Sequence, residues 1–282
     1  MFLQALFEHP FLQMSLWAGL LASISSGVIG SYVVVRRIAF IAGSIAHSIL
    51  GGMGLFLWLQ KTQGLVWLDP IHGAFVAAIG SALLLGWIQR RFRQREDALI
   101  AAIWSIGMAL GVVFISLTPG STGDLLNFLF GNILWVSSSD LLALGALGAA
   151  VLLLAGFYYK PLLALCFDEE QAALQGIRVQ RLYLILLCLV AIAIVLLIQI
   201  IGTILVLALL TIPATLAALF TTRLWTMMIV ACVLSCLSTI IGFWSAYELN
   251  WPPGATIALV AAAAYLITLG VKRKNIFRAV GR

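Results

Sequence analysis

Nine stretches of this chain stay apolar for longer than the core helix of a soluble protein requires. They fall at about 11–35, 38–59, 71–89, 98–118, 140–159, 182–200, 202–222, 224–246 and 255–271. Each has the roughly 17–25 residues with which a helix crosses a hydrocarbon layer of about 30 Å. Lipid supplies no partner for free backbone groups, so a spanning segment is a helix or part of a closed barrel. The ten-residue alternation that marks barrel strands is missing. The expected fold is therefore an all-α polytopic membrane protein of about nine transmembrane helices. Composition agrees, with 63% hydrophobic and 9% charged residues and a mean hydropathy of +1.13, against about 25% charged in a soluble domain. Nine spans and their short connections use up the 282 residues, so 1–282 reads as a single transmembrane domain. The first run has neither the basic flank nor the small-residue cleavage site of a secretory signal, and is expected to be a retained helix.

The cations set the orientation. A net charge of +6 is no nucleic-acid footprint here, because the basic residues sit between apolar runs and not on one soluble face. Arg36 and Arg37 follow the first run, Arg90, Arg91, Arg93 and Arg95 the third, and Lys160, Arg178 and Arg181 the fifth. Arg223 follows the seventh, and Lys272, Arg273, Lys274, Arg278 and Arg282 follow the ninth. Only Lys61 lies in an even-numbered gap. Cytoplasmic loops are enriched in Lys and Arg, so an N-out, C-in arrangement places 15 of the 16 on the cytoplasmic side. The outer connections are short and turn at Asp69-Pro70, Pro119-Gly120 and Pro252-Pro253-Gly254. Asp124 to Asp140 is apolar but too short to cross twice; it reads as a short helix at, or re-entering from, the outer surface, or as a loop packed on the bundle.

All ten Asp and Glu fall at span ends or in connections. Proton-driven carriers relay charge through intramembrane carboxylates, so this chain is poorly equipped for ion coupling. It holds no GxxxxGK[ST] phosphate loop, and its cytoplasmic segments are too small for a nucleotide-binding domain. Neither an HExxH motif nor paired intramembrane carboxylates point to an enzyme. A noncatalytic transport subunit, served by a separate ATPase, fits these features. The docking surface would be the largest inner connection, Lys160 to Arg181. Asp168, Glu169 and Glu170 open a helical stretch there, where negative charge suits the helix dipole, and Gly176 can close it. Ala172 and Gly176 lie four apart, as a small-residue face for close docking. This stretch, about 167–178, reads as a coupling helix or as a solvated loop.

One ionisable side chain lies deep in a span: His47, within GSIAHSILGGMG. A buried imidazole should face the bundle interior and can stay neutral to bind metal. Gly43, Ser44, Gly51 and Gly54 recur on its face at helical spacing. Two readings stay open for this face, a translocation pathway and close helix packing with a hydrogen-bonded histidine. Pro213 stands inside the seventh run, in GTILVLALLTIPAT, and should kink a helix that could line a pathway. His9 and His72 read as interfacial. Cys166, Cys188, Cys232 and Cys236 form no CxxC pair, so no disulfide framework is expected. Cys232 and Cys236 share a face and read as packing cysteines or as a soft metal site.

Five stretches taken in order resemble the membrane permease family of bacterial zinc and manganese ABC importers: GSYVVVRRIAFIAGSIAHSILGG, LFGNILWVSSSDL, FDEEQAALQGI, GTILVLALLTIPAT and NWPPGATIALVAAAAYL. The resemblance implies a permease in the bacterial inner membrane that works as a homodimer with cytoplasmic ATP-binding subunits and an extracytoplasmic metal-binding protein. It implies that 167–177 is the coupling helix, and that no cofactor is held beyond the transported zinc or manganese. The family carries an Asp one turn before the pathway His; His47 matches, but Gly43 stands at the Asp position. Imidazole alone suits zinc, whereas manganese prefers more oxygen ligands, so zinc is the expected ion. Two alternatives keep the membrane architecture. A permease for metal chelates of the siderophore or cobalamin type usually has an extra span, and a channel or secondary carrier works without an ATPase.

Overall fold

The computed structural model describes residues 2–91, 96–120, 128–129, 131 and 133–280. The start of the Asp124–Asp140 segment, together with Arg93, Arg95 and Arg282, lies outside them. The helices are α1 (Phe2–Glu8), α2 (Pro10–Val35), α3 (Ala39–Gln63), α4 (Pro70–Arg91) and α5 (Glu96–Ser116). After a 3-10 turn at Ile133–Trp135 come α6 (Ser138–Phe157), α7 (Tyr159–Phe167), α8 (Glu169–Leu174) and α9 (Val179–Ile201). The chain ends with α10 (Thr203–Ala218), α11 (Leu224–Leu249) and α12 (Pro253–Val280).

Eight of these, α2 to α6, α9, α11 and α12, are long and apolar enough to cross a membrane. The run expected as a further span is the shorter α10, whose 16 residues extend about 24 Å, less than a hydrocarbon layer of about 30 Å. Gly202 alone joins it to α9, at φ 78° and ψ 162°, a backbone region open only to glycine. This is the tight turn expected at 201–203. Close contacts fix the relative directions. Gly19 meets Thr239 while Gly27 meets Cys232, so α2 and α11 run antiparallel. Gly51 meets Gly107 while Gly54 meets Gly111, so α3 and α5 run parallel. Both relations fit a chain that reverses at every connection.

Lipid tails are as apolar as leucine, so helices in a membrane are held by close backbone approach and by polar contacts. On α2 a small residue recurs every fourth position: Gly19, Ser23, Gly27 and Ser31. A hydrogen bond of 2.8 Å joins the Ser23 and Thr239 hydroxyls, and Gly30 lies directly against the Leu210 carbonyl of α10. Helix α2 is accordingly the most buried, with 72% of its apolar window inside the protein, against 17% for α5. The open face of α5 carries Ile106, Met108, Leu110 and Val113, side chains that lipid or another apolar surface can cover.

The described part of the Asp124–Asp140 segment packs on the α9–α10 turn. Thr203 Oγ1 donates to the Phe128 carbonyl at 2.8 Å, and Gly131, at φ 71°, lies against the backbone of Ile201 and Gly202. A capping box then starts α6: the Asp140 amide donates to Ser137 Oγ at 3.2 Å, and the Ser137 amide to Asp140 Oδ2 at 3.0 Å.

Candidate functional site

His47 stands near the middle of α3, with its ring stacked on Trp104 of α5; the ring centroids are 4.4 Å apart and the planes inclined by 16°. Gly43 makes room for this stack, because a Cβ there would lie 3.3 Å from Trp104 Cζ3. Ser44 is fully buried, and its hydroxyl donates to the Ile100 carbonyl of α5 at 3.1 Å. Ser48 Oγ donates to the Ser44 carbonyl at 2.8 Å. Below and beside the ring, the two helices close to backbone contact. A Cβ at Gly51 would stand 2.8 Å from the Gly107 carbonyl, and one at Gly54 2.8 Å from the Gly111 carbonyl. The seam is therefore a pair of small-residue faces, and the Gly107–Gly111 pair of α5 is its second half. The GxxxG spacing of Gly107 and Gly111 is the sequence signal of this half of the seam.

His47 Nδ1 is buried with no hydrogen-bond partner among the described residues. The imidazole is thus held by stacking, not by the hydrogen bond that a packing histidine was expected to make. No cluster of three or more His, Cys, Asp or Glu that could hold a metal exists among the described residues.

A cavity of about 360 Å³ opens against α3, lined by Leu50, Met53, Leu57, Asp69 and Gln199 among others. Its lining on α3 begins at Ile49 and Leu50 and does not include His47. Its walls come from α3, α4, α5 and α9 with Phe128, a set that only the folded chain brings together. Pro213 is buried in α10, which continues through it from Thr203 to Ala218; Thr211 Oγ1 and Thr215 Oγ1 donate back to the Leu207 and Thr211 carbonyls at 2.7 Å each. His9 and His72 are exposed. Cys232 Sγ approaches the Ile24 carbonyl at 3.4 Å, a packing contact of α11 on α2.

At the end of the bundle where α2 gives way to α3, the Lys160–Arg181 connection forms two short helices. Asp168 caps α8, accepting from the Gln171 amide at 2.8 Å. Gly176, at φ 81°, ends it: the Ile177 amide donates to the Ala172 carbonyl at 3.1 Å and the Gly176 amide to the Ala173 carbonyl at 3.0 Å. The expected small-residue docking face is not one surface. Ala172 is fully buried within the chain, whereas Leu174 is 88% exposed and Glu170 and Phe167 are exposed beside it. The physical reason is the length of α8: six residues end before Gly176, which has turned left-handed and left the helical face. Glu169 pairs with Arg36. Burial pushes the neighbouring Cys166 thiol up to about 11, against the opposing pull of Arg36, so Cys166 stays neutral and Glu169 is the counter-charge.

The match to the ABC 3 transport family covers residues 8–272. A probable metal transport system membrane protein of Chlamydia pneumoniae is 46% identical over 257 residues, 91% of this chain and 87% of that one. The manganese transport system membrane protein MntC of Listeria monocytogenes is 33% identical over 267 residues, 95% of this chain and 92% of that one. Among solved structures, PsaBC from Streptococcus pneumoniae in complex with Fab aligns with a TM-score of 0.82 and 30% identity, covering 94% of this chain and 93% of that one.

Proposed function

This chain belongs to the ABC 3 transport family, and we propose that it is the membrane permease of an ATP-driven importer of a divalent transition metal ion, with zinc as that ion. His47 carries the reading: an imidazole within a span, stacked on Trp104 and with a buried nitrogen that no described residue engages. Two such chains would supply the second imidazole that one chain lacks. Cytoplasmic ATP-binding subunits would dock on the exposed Phe167, Glu170 and Leu174 surface, and an extracytoplasmic metal-binding protein would deliver the ion at the opposite end. Zinc is favoured by the chemistry of the donor set, since an imidazole with no carboxylate one turn away suits zinc better than manganese. Manganese is the second reading, favoured by the name of the Listeria relative.

Competition between the two ions during ATP-driven uptake into proteoliposomes tests both readings. Zinc should outcompete manganese in the unmodified protein. Gly43→Asp adds a hard oxygen ligand, and Trp104 must yield a few tenths of an ångström to admit it; the preference should then move toward manganese. Preferential uptake of manganese by the unmodified protein would overturn the zinc assignment, and no metal uptake at all would overturn the importer.

The orientation, N-out and C-in, rests on the distribution of the cations. In a background without native cysteines, Gln175→Cys and Thr222→Cys should resist an impermeant thiol reagent in intact cells, while Gly120→Cys should react. The reverse pattern would invert the topology.

A further inference from the structure

Arg36 stands at the corner between α2 and α3, and it touches three other elements. Its guanidinium pairs with Glu169 of α8, donates to the Leu165 carbonyl of α7 at 2.8 Å, and lies 5.3 Å from the ring centre of Tyr183 on α9. The side chain is 14% exposed, and Nε is buried without a partner. A guanidinium so poorly hydrated and only partly satisfied depends heavily on the Glu169 carboxylate. The corner itself is stiff. The amides of Arg36, Arg37 and Ile38 donate to the carbonyls of Tyr32, Val34 and Val33 at 2.9, 3.0 and 2.9 Å. Arg37 holds φ at 58°, a left-handed conformation that a non-glycine residue adopts only when its surroundings impose it. Helix α3 begins at Ala39, about two turns before His47.

From this arrangement we infer that Arg36 is the positioning residue through which a displacement of α8 reaches the helix that carries His47. The inference rests on the importer reading above and adds a route to it. An ATP-binding subunit pressing on the exposed face of α8 moves Glu169. The ion pair carries that motion to a corner too rigid to absorb it, and α3 shifts along its seam with α5, changing how His47 lies on Trp104. The chain offers a second route, from α8 through residues 175–178 into α9. Removing the Glu169 charge cuts the first and leaves the second intact.

The test uses the assembled transporter in proteoliposomes and compares metal taken up with ATP hydrolysed. Arg36→Gln and Glu169→Gln should each keep hydrolysis but lower uptake per ATP at least about fivefold, the low end of usual coupling between sites. The reversed pair, Arg36→Glu with Glu169→Arg, should recover part of the loss. Glu169 is half-exposed, so its variant reports even where Arg36→Gln fails to assemble. Unchanged uptake per ATP in Glu169→Gln, or single-variant losses that the reversed pair deepens, would overturn the route while leaving the importer in place. Failure of the unmodified protein to couple uptake to ATP would instead overturn the importer, and this route with it.

Discussion

Replacing His47 with alanine is expected to lower ATP-driven metal uptake at least about tenfold, since loss of even an outer-shell partner of a metal ligand costs 10–100-fold in affinity. Alanine also removes the stack on Trp104, so on its own it does not separate ligation from packing. His47→Phe does. A phenyl ring keeps the stacked face and the apolar volume but has no nitrogen, and it leaves no buried polar atom unpaired. The phenylalanine protein should therefore insert, purify and melt like the parent while transporting as poorly as the alanine protein. His47→Gln offers a polar group without an imidazole and should also fail. Uptake near the parental rate in His47→Phe would reduce the position to packing. The ion must also leave, so parental binding at this position should be weak; a tightly held ion would stop turnover.

The spans were legible because lipid tolerates so few alternatives: an apolar run of about twenty residues has to be a helix. The helix-ending glycine at Gly176 and the acids that open α8 were legible for a similar reason, since capping is local chemistry. Long-range pairing was not. Nothing in the surroundings of His47 in sequence points to Trp104, and Arg36 finds Glu169 across 133 positions. The acids at 168–170 form one dipole-favouring cluster in sequence, but the fold gives them separate tasks: Asp168 caps, Glu169 pairs with Arg36, and Glu170 stays exposed. Ala172 and Gly176 have the spacing of neighbours on one helical face, but that spacing makes neighbours only while the helix lasts, and α8 ends at Leu174. Gly51 is the most instructive case. Its spacing from His47 allowed either a pathway or a packing role, and the position of Gly107 decides what it touches.

Gly51→Leu is expected to be among the most damaging single changes in the bundle. A Cβ at this position would lie 2.8 Å from the Gly107 carbonyl and 3.4 Å from its Cα, so even the first carbon of a larger side chain pushes on backbone. Overpacking of a well-packed interior costs about 1–3 kcal/mol, and more where backbone has to move. Here the movement would part α3 from α5, which is the contact that sets His47 against Trp104. The thermal midpoint of the purified protein in detergent should therefore fall together with uptake. Gly80 on α4 and Gly145 on α6 supply the comparison, because nothing stands within 4 Å of a Cβ at either; leucine at those positions should leave both midpoint and uptake close to the parent. A residue that merely lines a pathway would behave differently. If Gly51→Leu blocked uptake with no change in the thermal midpoint, the seam would be looser than the close approach of Gly51 and Gly107 requires, and Gly51 would belong to the pathway.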